Sequence, residues 1–77
     1  MIDEYCMIEI AFDDLEETKR TIKALLEEKL VSSCQMIESH STWLWHQEIE
    51  SAKEYLVFVK TKKNLSTKIY NVVRKYH

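Results

Sequence analysis

Residues 5–12 (YCMIEIAF) place Cys6, Ile8, Ile10 and Phe12 on one face of an extended chain, and Tyr5, Met7, Glu9 and Ala11 on the other. Both faces are largely apolar, which predicts a strand inside a sheet covered on both sides. Asp13 and Asp14 follow. Asp13-x-x-Glu16 and Asp14-x-x-Glu17 each fit the start of a helix, because a carboxylate there accepts from unpaired backbone N–H groups. The helix is expected to run to about Lys29. Its apolar stripe is Leu15, Ile22, Leu25, Leu26 and Leu30, with Glu16, Lys19, Arg20, Lys23 and Glu27 outward.

Residues 31–45 carry Val, Ile, Ser, Thr and Trp without helical period, and read as one long strand. Residues 46–54 (HQEIESAKE) read as a polar hairpin region. Residues 55–61 (YLVFVKT) are the most strongly β-forming stretch: Tyr55, Val57 and Val59 share one face, Leu56 and Phe58 the other. A turn at 62–66 leads, with Asn64 or Ser66 as cap, into a second helix. There Leu65, Ile69, Val72, Val73 and Tyr76 repeat at helical spacing.

The order β-α-β-β-α predicts an α+β fold: an antiparallel sheet with two helices on one face, one strand short of the split βαβ, ferredoxin-like pattern. In that topology the first and third strands are central, in agreement with their two apolar faces. The missing fourth strand would lie beside the first, so a hydrophobic strand edge is expected to stand open. No linker or repeat divides residues 1–77, and a single domain is expected.

Composition sharpens this picture. The chain has neither glycine nor proline, where average usage predicts about nine of the two together. The P-loop and the dinucleotide fingerprint are excluded, since both bring backbone against phosphate at glycine. Net charge is −2, against a general nucleic-acid or anionic-membrane binder. No apolar run is long enough to span a bilayer as a helix, and the opening Met1–Glu4 is acidic, unlike a secretory leader. Two cysteines without a CxxC argue for a reducing, cytoplasmic setting. The charge is uneven: residues 60–77 hold six of the eleven basic residues and none of the thirteen acidic ones.

Several stretches resemble the CutA divalent-cation-tolerance family. Residues 24–37 (ALLEEKLVSSCQMI) are similar to its helix end and cysteine-bearing strand. Residues 41–49 (STWLWHQEI) look like its aromatic strand and turn, and residues 54–61 (EYLVFVKT) like its following strand. Residues 73–77 (VRKYH) resemble the approach to the family's His-Pro-Tyr strand, which is expected to be missing here. The family's Pro-Gly between the cysteine and aromatic strands has no counterpart, since Glu38-Ser-His40 is shorter, and its Glu-Gly turn reads His46-Gln47. The resemblance implies a ferredoxin-like homotrimer in the cytoplasm. It implies tolerance of copper or another divalent cation without an enzymatic reaction. The alternative it leaves is a PII-like signalling or scaffolding trimer that binds a small anion or a partner protein.

Candidate metal ligands are Cys34 and His77, the two that match the family, with Cys6, Met36, His40 and His46 as further soft donors. Cys34, Met36, His40 and His46 share parity along a strand. At about 3.3 Å per residue, however, Cys34 and His40 lie roughly 20 Å apart and cannot share one ion. Ligands would have to meet across strands or subunits. The plain alternatives are a buried thiol at Cys34 and a helix-end imidazole at His77. Trp43 and Trp45 project from one face and are expected at a subunit interface, with Glu48 and Lys60 as opposite charges there. No residues assemble a nucleophile or acid/base pair, and the CxxC and glycine loops used by other ferredoxin-like proteins are missing.

Overall fold

A computed structural model describes residues 4–77. Most of the acidic opening, residues 1–3, lies outside the described residues. The order is β1 (Tyr5–Phe12), α1 (Leu15–Glu27), β2 (Ser33–Trp45), β3 (Glu48–Lys62), a single 3-10 turn (Lys63–Leu65) and α2 (Ser66–Tyr76). The sheet is antiparallel with strand order β1-β3-β2. The split βαβ arrangement is therefore present, with β3 central and β1 at an edge among the described residues.

Cross-strand pairing fixes the faces. Ile8 opposes Val59 and Val59 opposes Cys34, while Ile10 opposes Val57 and Val57 opposes Met36. One sheet face thus carries the isoleucines and valines that the helices cover. Phe12, Leu25, Leu30, Val31, Val57, Val59, Ile69 and Val72 form one core, in which Leu25 and Val59 are 0% exposed. The other face carries Tyr5, Met7, Ile37, Leu56 and Phe58. It has no covering element among the described residues, and Tyr5, Met7 and Ile37 are exposed. The expected cover on both sides is present on one side only.

Helix α1 begins as its acids dictate: the Asp14 carboxylate accepts from the Glu17 backbone N–H at 2.8 Å. Its buried stripe differs from expectation. Thr18 and Thr21 are buried, while Leu26 is exposed. The threonines tolerate burial because their hydroxyls donate to the Asp14 and Glu17 carbonyls one turn back, at 2.7 and 2.9 Å. The helix ends where the Leu30 N–H reaches the Leu25 carbonyl and the Lys29 N–H the Leu26 carbonyl, with Lys29 at φ 57°. This is the Schellman ending, which glycine usually supplies at that position. Helix α2 has no side-chain cap, so neither Asn64 nor Ser66 plays the part expected of them. The preceding 3-10 turn leads the chain in.

The expected polar hairpin at 46–54 is much smaller. Only His46 and Gln47 turn, at φ 48° and 67°, and strand pairing resumes at Glu48 opposite Trp45. Two consecutive positive φ values match the right-handed twist of the flanking strands, as a two-residue hairpin requires. β2 and β3 therefore run on together beyond β1 as a two-stranded ribbon, from the Ser39–Glu54 pair to the turn. That ribbon is roughly 20 Å long. It accounts for extents of 49 × 26 × 19 Å and a radius of gyration of 14.2 Å, against about 11.5 Å for a compact chain of this length.

Candidate functional site

The sequence candidates fall in three places. Cys34 lies on the helix side of β2, half-buried against the core, and burial raises its thiol pKa. A raised pKa keeps the thiol protonated at neutral pH, and it is the thiolate that binds metals and attacks electrophiles. Within the fold Cys34 packs as a small side chain against the core. Cys6 is also a free thiol, on the helix side of β1, across β3 from β2.

His77 lies at the far end of the sheet. Its ring stacks on Phe12 at 4.8 Å between centroids, and its Nε2 donates to the Ala11 carbonyl at 2.9 Å. Glu17 Oε1 stands 3.9 Å from its Nδ1. The bond to Ala11 raises the imidazole pKa most, with Glu17 and Asp13 adding to the shift and desolvation opposing it. The side chain thus ties the end of α2 to β1 and α1. Phe12 pairs with Tyr55, and Cys34 with Val59 across the same central strand. That grid puts Cys34 and Phe12 roughly 16 Å apart, far beyond ligand bonds of about 2–2.3 Å. The structure does not bring Cys34 and His77 together within one chain, and no cluster of three or more His, Cys, Asp or Glu suited to a metal occurs among the described residues.

The ribbon is the third place. Trp43 opposes Glu50 and Trp45 opposes Glu48, on the sheet face that the helices leave open. The same face continues down to Leu56 and Phe58, and Lys60 stands there between Ser33 and Met7. On the reverse of the ribbon, Leu44 opposes Ile49. Exposures of 58% for Trp45, 69% for Leu44 and 78% for Ile49 leave large apolar side chains open on both ribbon faces, among polar neighbours. His46 leaves the strand at the turn, so it does not share a face with Cys34, Met36 and His40 as its parity implied. Its ring instead meets Trp45 edge-on at 4.6 Å.

One cluster escaped sequence reasoning. Glu38 and Lys53 form an ion pair at 2.7 Å at the foot of the ribbon, and the Lys53 ammonium lies 5.9 Å from the Tyr55 ring centre. Their shared hydrogen bond lowers the Glu38 pKa and raises that of Lys53. The signal was available only through register: residues fifteen apart are adjacent once the two-residue turn is known.

The three strands, with two helices on one face and an aromatic ribbon, define an α+β protein of ferredoxin-like topology. The sequence model of the CutA1 divalent ion tolerance protein family matches residues 6–77. This chain belongs to that family. It is 33% identical over 70 residues to the divalent-cation tolerance protein CutA of Archaeoglobus fulgidus, covering 91% of this chain and 69% of that protein. It is 27% identical over 66 residues to the protein of the same name from Pyrococcus horikoshii, covering 86% of this chain and 65% of that one. The solved periplasmic divalent cation tolerance protein CutA of A. fulgidus superposes with a TM-score of 0.84 at 32% identity, over 95% of this chain and 72% of its own. The chain thus spans about two thirds of the length of these curated relatives. No helix among the described residues is long and apolar enough to cross a membrane.

Proposed function

We infer that this protein serves divalent-cation tolerance, copper among the ions concerned, as a non-catalytic cytoplasmic homotrimer. The observation that carries the reading is the family match from residue 6 to residue 77, which takes in all three strands and both helices. The ribbon supports the assembly. A lone two-stranded hairpin is marginal in water, and this one exposes Trp45, Leu44 and Ile49. Packed on a second copy, Trp43 and Trp45 bury apolar surface. Glu48, Glu50 and Glu54 can then meet the basic surface that includes Lys60. Metal binding, in this reading, is weak and uses ligands contributed by more than one copy, because Cys34 and His77 of one chain lie too far apart. The protein body relays occupancy as a change in assembly.

Titration with Cu, Zn and Mg salts, read by calorimetry and by thermal stabilisation on wild type, Cys34→Ala and His77→Ala, tests this. Saturable binding with metal-dependent stabilisation is expected. No binding below about 100 µM removes the metal reading, since mass action then gives no useful stabilisation. A single-copy mass by light scattering at micromolar concentration removes the trimer. Residence in the cell is tested by fractionation against markers for the cytoplasm and for exported proteins.

A further inference from the structure

Two soft donors stand side by side on β2. The strand pairs with β3 residue for residue from Ser33 to Trp45, so its side chains alternate faces without interruption. Cys34 and Met36 therefore share the helix side, about 6.6 Å of strand rise apart. Cys34 stands opposite Val59 and Met36 opposite Val57, and both valines are buried. Beyond β2 the sheet has no further strand among the described residues. Cys34 is a free, half-buried thiol, while Met36 is 42% exposed. The pair thus has apolar core on one side and an open approach on the other.

Strand rise rules out an ion shared by Cys34 and His40, roughly 20 Å apart, but not one shared by Cys34 and its nearer neighbour. Two metal–sulfur bonds in line, each about 2.3 Å as in zinc thiolates, hold the sulfurs about 4.6 Å apart. Methionine turns about three side-chain bonds, so its thioether can close on that position. The next side chain on the same face, Glu38, is held by Lys53 at 2.7 Å. No group of three or more His, Cys, Asp or Glu gathers among the described residues, so the further donors of a tetrahedral zinc site are lacking. A thiolate with a thioether is instead the donor set that suits monovalent copper. Charge favours the same ion. One thiolate and one monovalent cation sum to zero, and a neutral complex can lie against Val57 and Val59, whereas a divalent ion would leave net charge at the rim of the core.

We propose that Cys34 and Met36 form a site for one soft monovalent cation, Cu(I), within a single chain. On binding, the Cys34 S–H bond breaks and its proton passes to solvent, a sulfur–copper bond forms, and the Met36 sulfur donates a lone pair. No electron is transferred, because the copper arrives already reduced. The site is separate from the divalent-ion binding inferred for the assembly, which draws ligands from more than one copy.

The probe is Cu(I) held by a coloured competing chelator under nitrogen with excess ascorbate, and binding is read as loss of the chelator's colour. One copper per chain is expected, with copper X-ray absorption showing two sulfur neighbours at about 2.3 Å. Cys34→Ser should abolish binding and Cys6→Ser should leave it unchanged. Met36→Leu conserves volume and is well tolerated in packed positions. It should weaken binding at least tenfold and remove one sulfur neighbour, while the circular dichroism spectrum stays that of the wild type. Unchanged affinity in Met36→Leu overturns the proposal. So does loss of binding in Cys6→Ser, or a stoichiometry of one copper to two or three chains, since the ligands then come from elsewhere or from several copies. A parallel zinc titration keeps the two sites distinct: Met36→Leu should leave the zinc response as in wild type, and an equal loss of zinc and copper binding in that variant overturns a separate monovalent site.

Discussion

Within β3, residues Tyr55–Lys60 lie between β1 and β2 beneath the helices, whereas Glu48–Glu54 have β2 alone. The two halves belong to one uninterrupted strand, the first laddered on both edges and the second on one. Val57 and Val59 in the first are buried, while Ile49 in the second is largely exposed. Backbone pairing alone does not bury a region here, since both halves are paired. Apolar area removed from water distinguishes them, and only the body has helices to remove it. In the proposed homotrimer, a second copy supplies the cover that the ribbon has not found among the described residues.

The sharpest break of this comparison is Leu25→Ala against Leu44→Ser, in urea melts at concentrations where a single copy prevails. The first should lose about 3 kcal/mol, as a fully buried leucine does. The second should change stability by no more than about 0.5 kcal/mol. Equal losses would mean that the ribbon is packed within one chain. Next in size, replacing Trp43 and Trp45 together with alanine should weaken self-association by about 2 kcal/mol or more, as aromatic interface residues do. Sedimentation measures this, and unchanged association would remove the ribbon from the interface.

Glycine at the left-handed positions should stabilise by about 0.5–1 kcal/mol each, the αL penalty less the added freedom of the unfolded chain. Here the two regions should differ. Lys29→Gly, at the end of a core helix, should raise the global melting temperature. Gln47→Gly should raise amide protection in the ribbon and leave the global melt of the single copy nearly unmoved. The smallest effect belongs to His77. Its folded pKa is raised, so its contribution is fully present below the unfolded value, about 6.5, and fades as pH rises through the folded value. The destabilisation caused by His77→Asn should be larger at pH 5.5 than at pH 8, read from denaturant midpoints. A pH-independent difference would assign His77 to stacking on Phe12 alone.

Much of the body was legible in the sequence because its signals are local. The alternation at 5–12, the Asp14 cap and the period of Ile69, Val72 and Val73 each depend on near neighbours, and each appears as read. The hairpin was not. His46 and Gln47 are poor residues for two positive φ values, and without glycine only the family resemblance, not the residues themselves, pointed to a turn there. Register could not be set until the turn was known, so the Glu38–Lys53 pair stayed hidden. Thr18 and Thr21 are absent from the apolar stripe read from the sequence, because their hydrogen bonds to the preceding turn are invisible in a hydropathy pattern.

The candidate ligands show the same division. Sequence spacing alone excluded an ion shared by Cys34 and His40, since strand rise is a fixed length. It could not place His77, whose partners Ala11, Phe12 and Glu17 lie about sixty residues away in the chain.

By itself, then, the sequence determined the order of elements, the inward stripe of α2, the family, and the separation of charge between the C-terminal third and the rest. These follow from periodicity, short-range capping and composition, which need no knowledge of what lies across the sheet. Only the tertiary structure decided that β3 continues into a ribbon, that one sheet face has no cover among the described residues, that Cys34 packs half-buried against the core, and that His77 ties α2 to β1. Those depend on register and on which surfaces meet. Both are set by contacts between residues distant in sequence, where a shift of one residue turns every side chain to the other face.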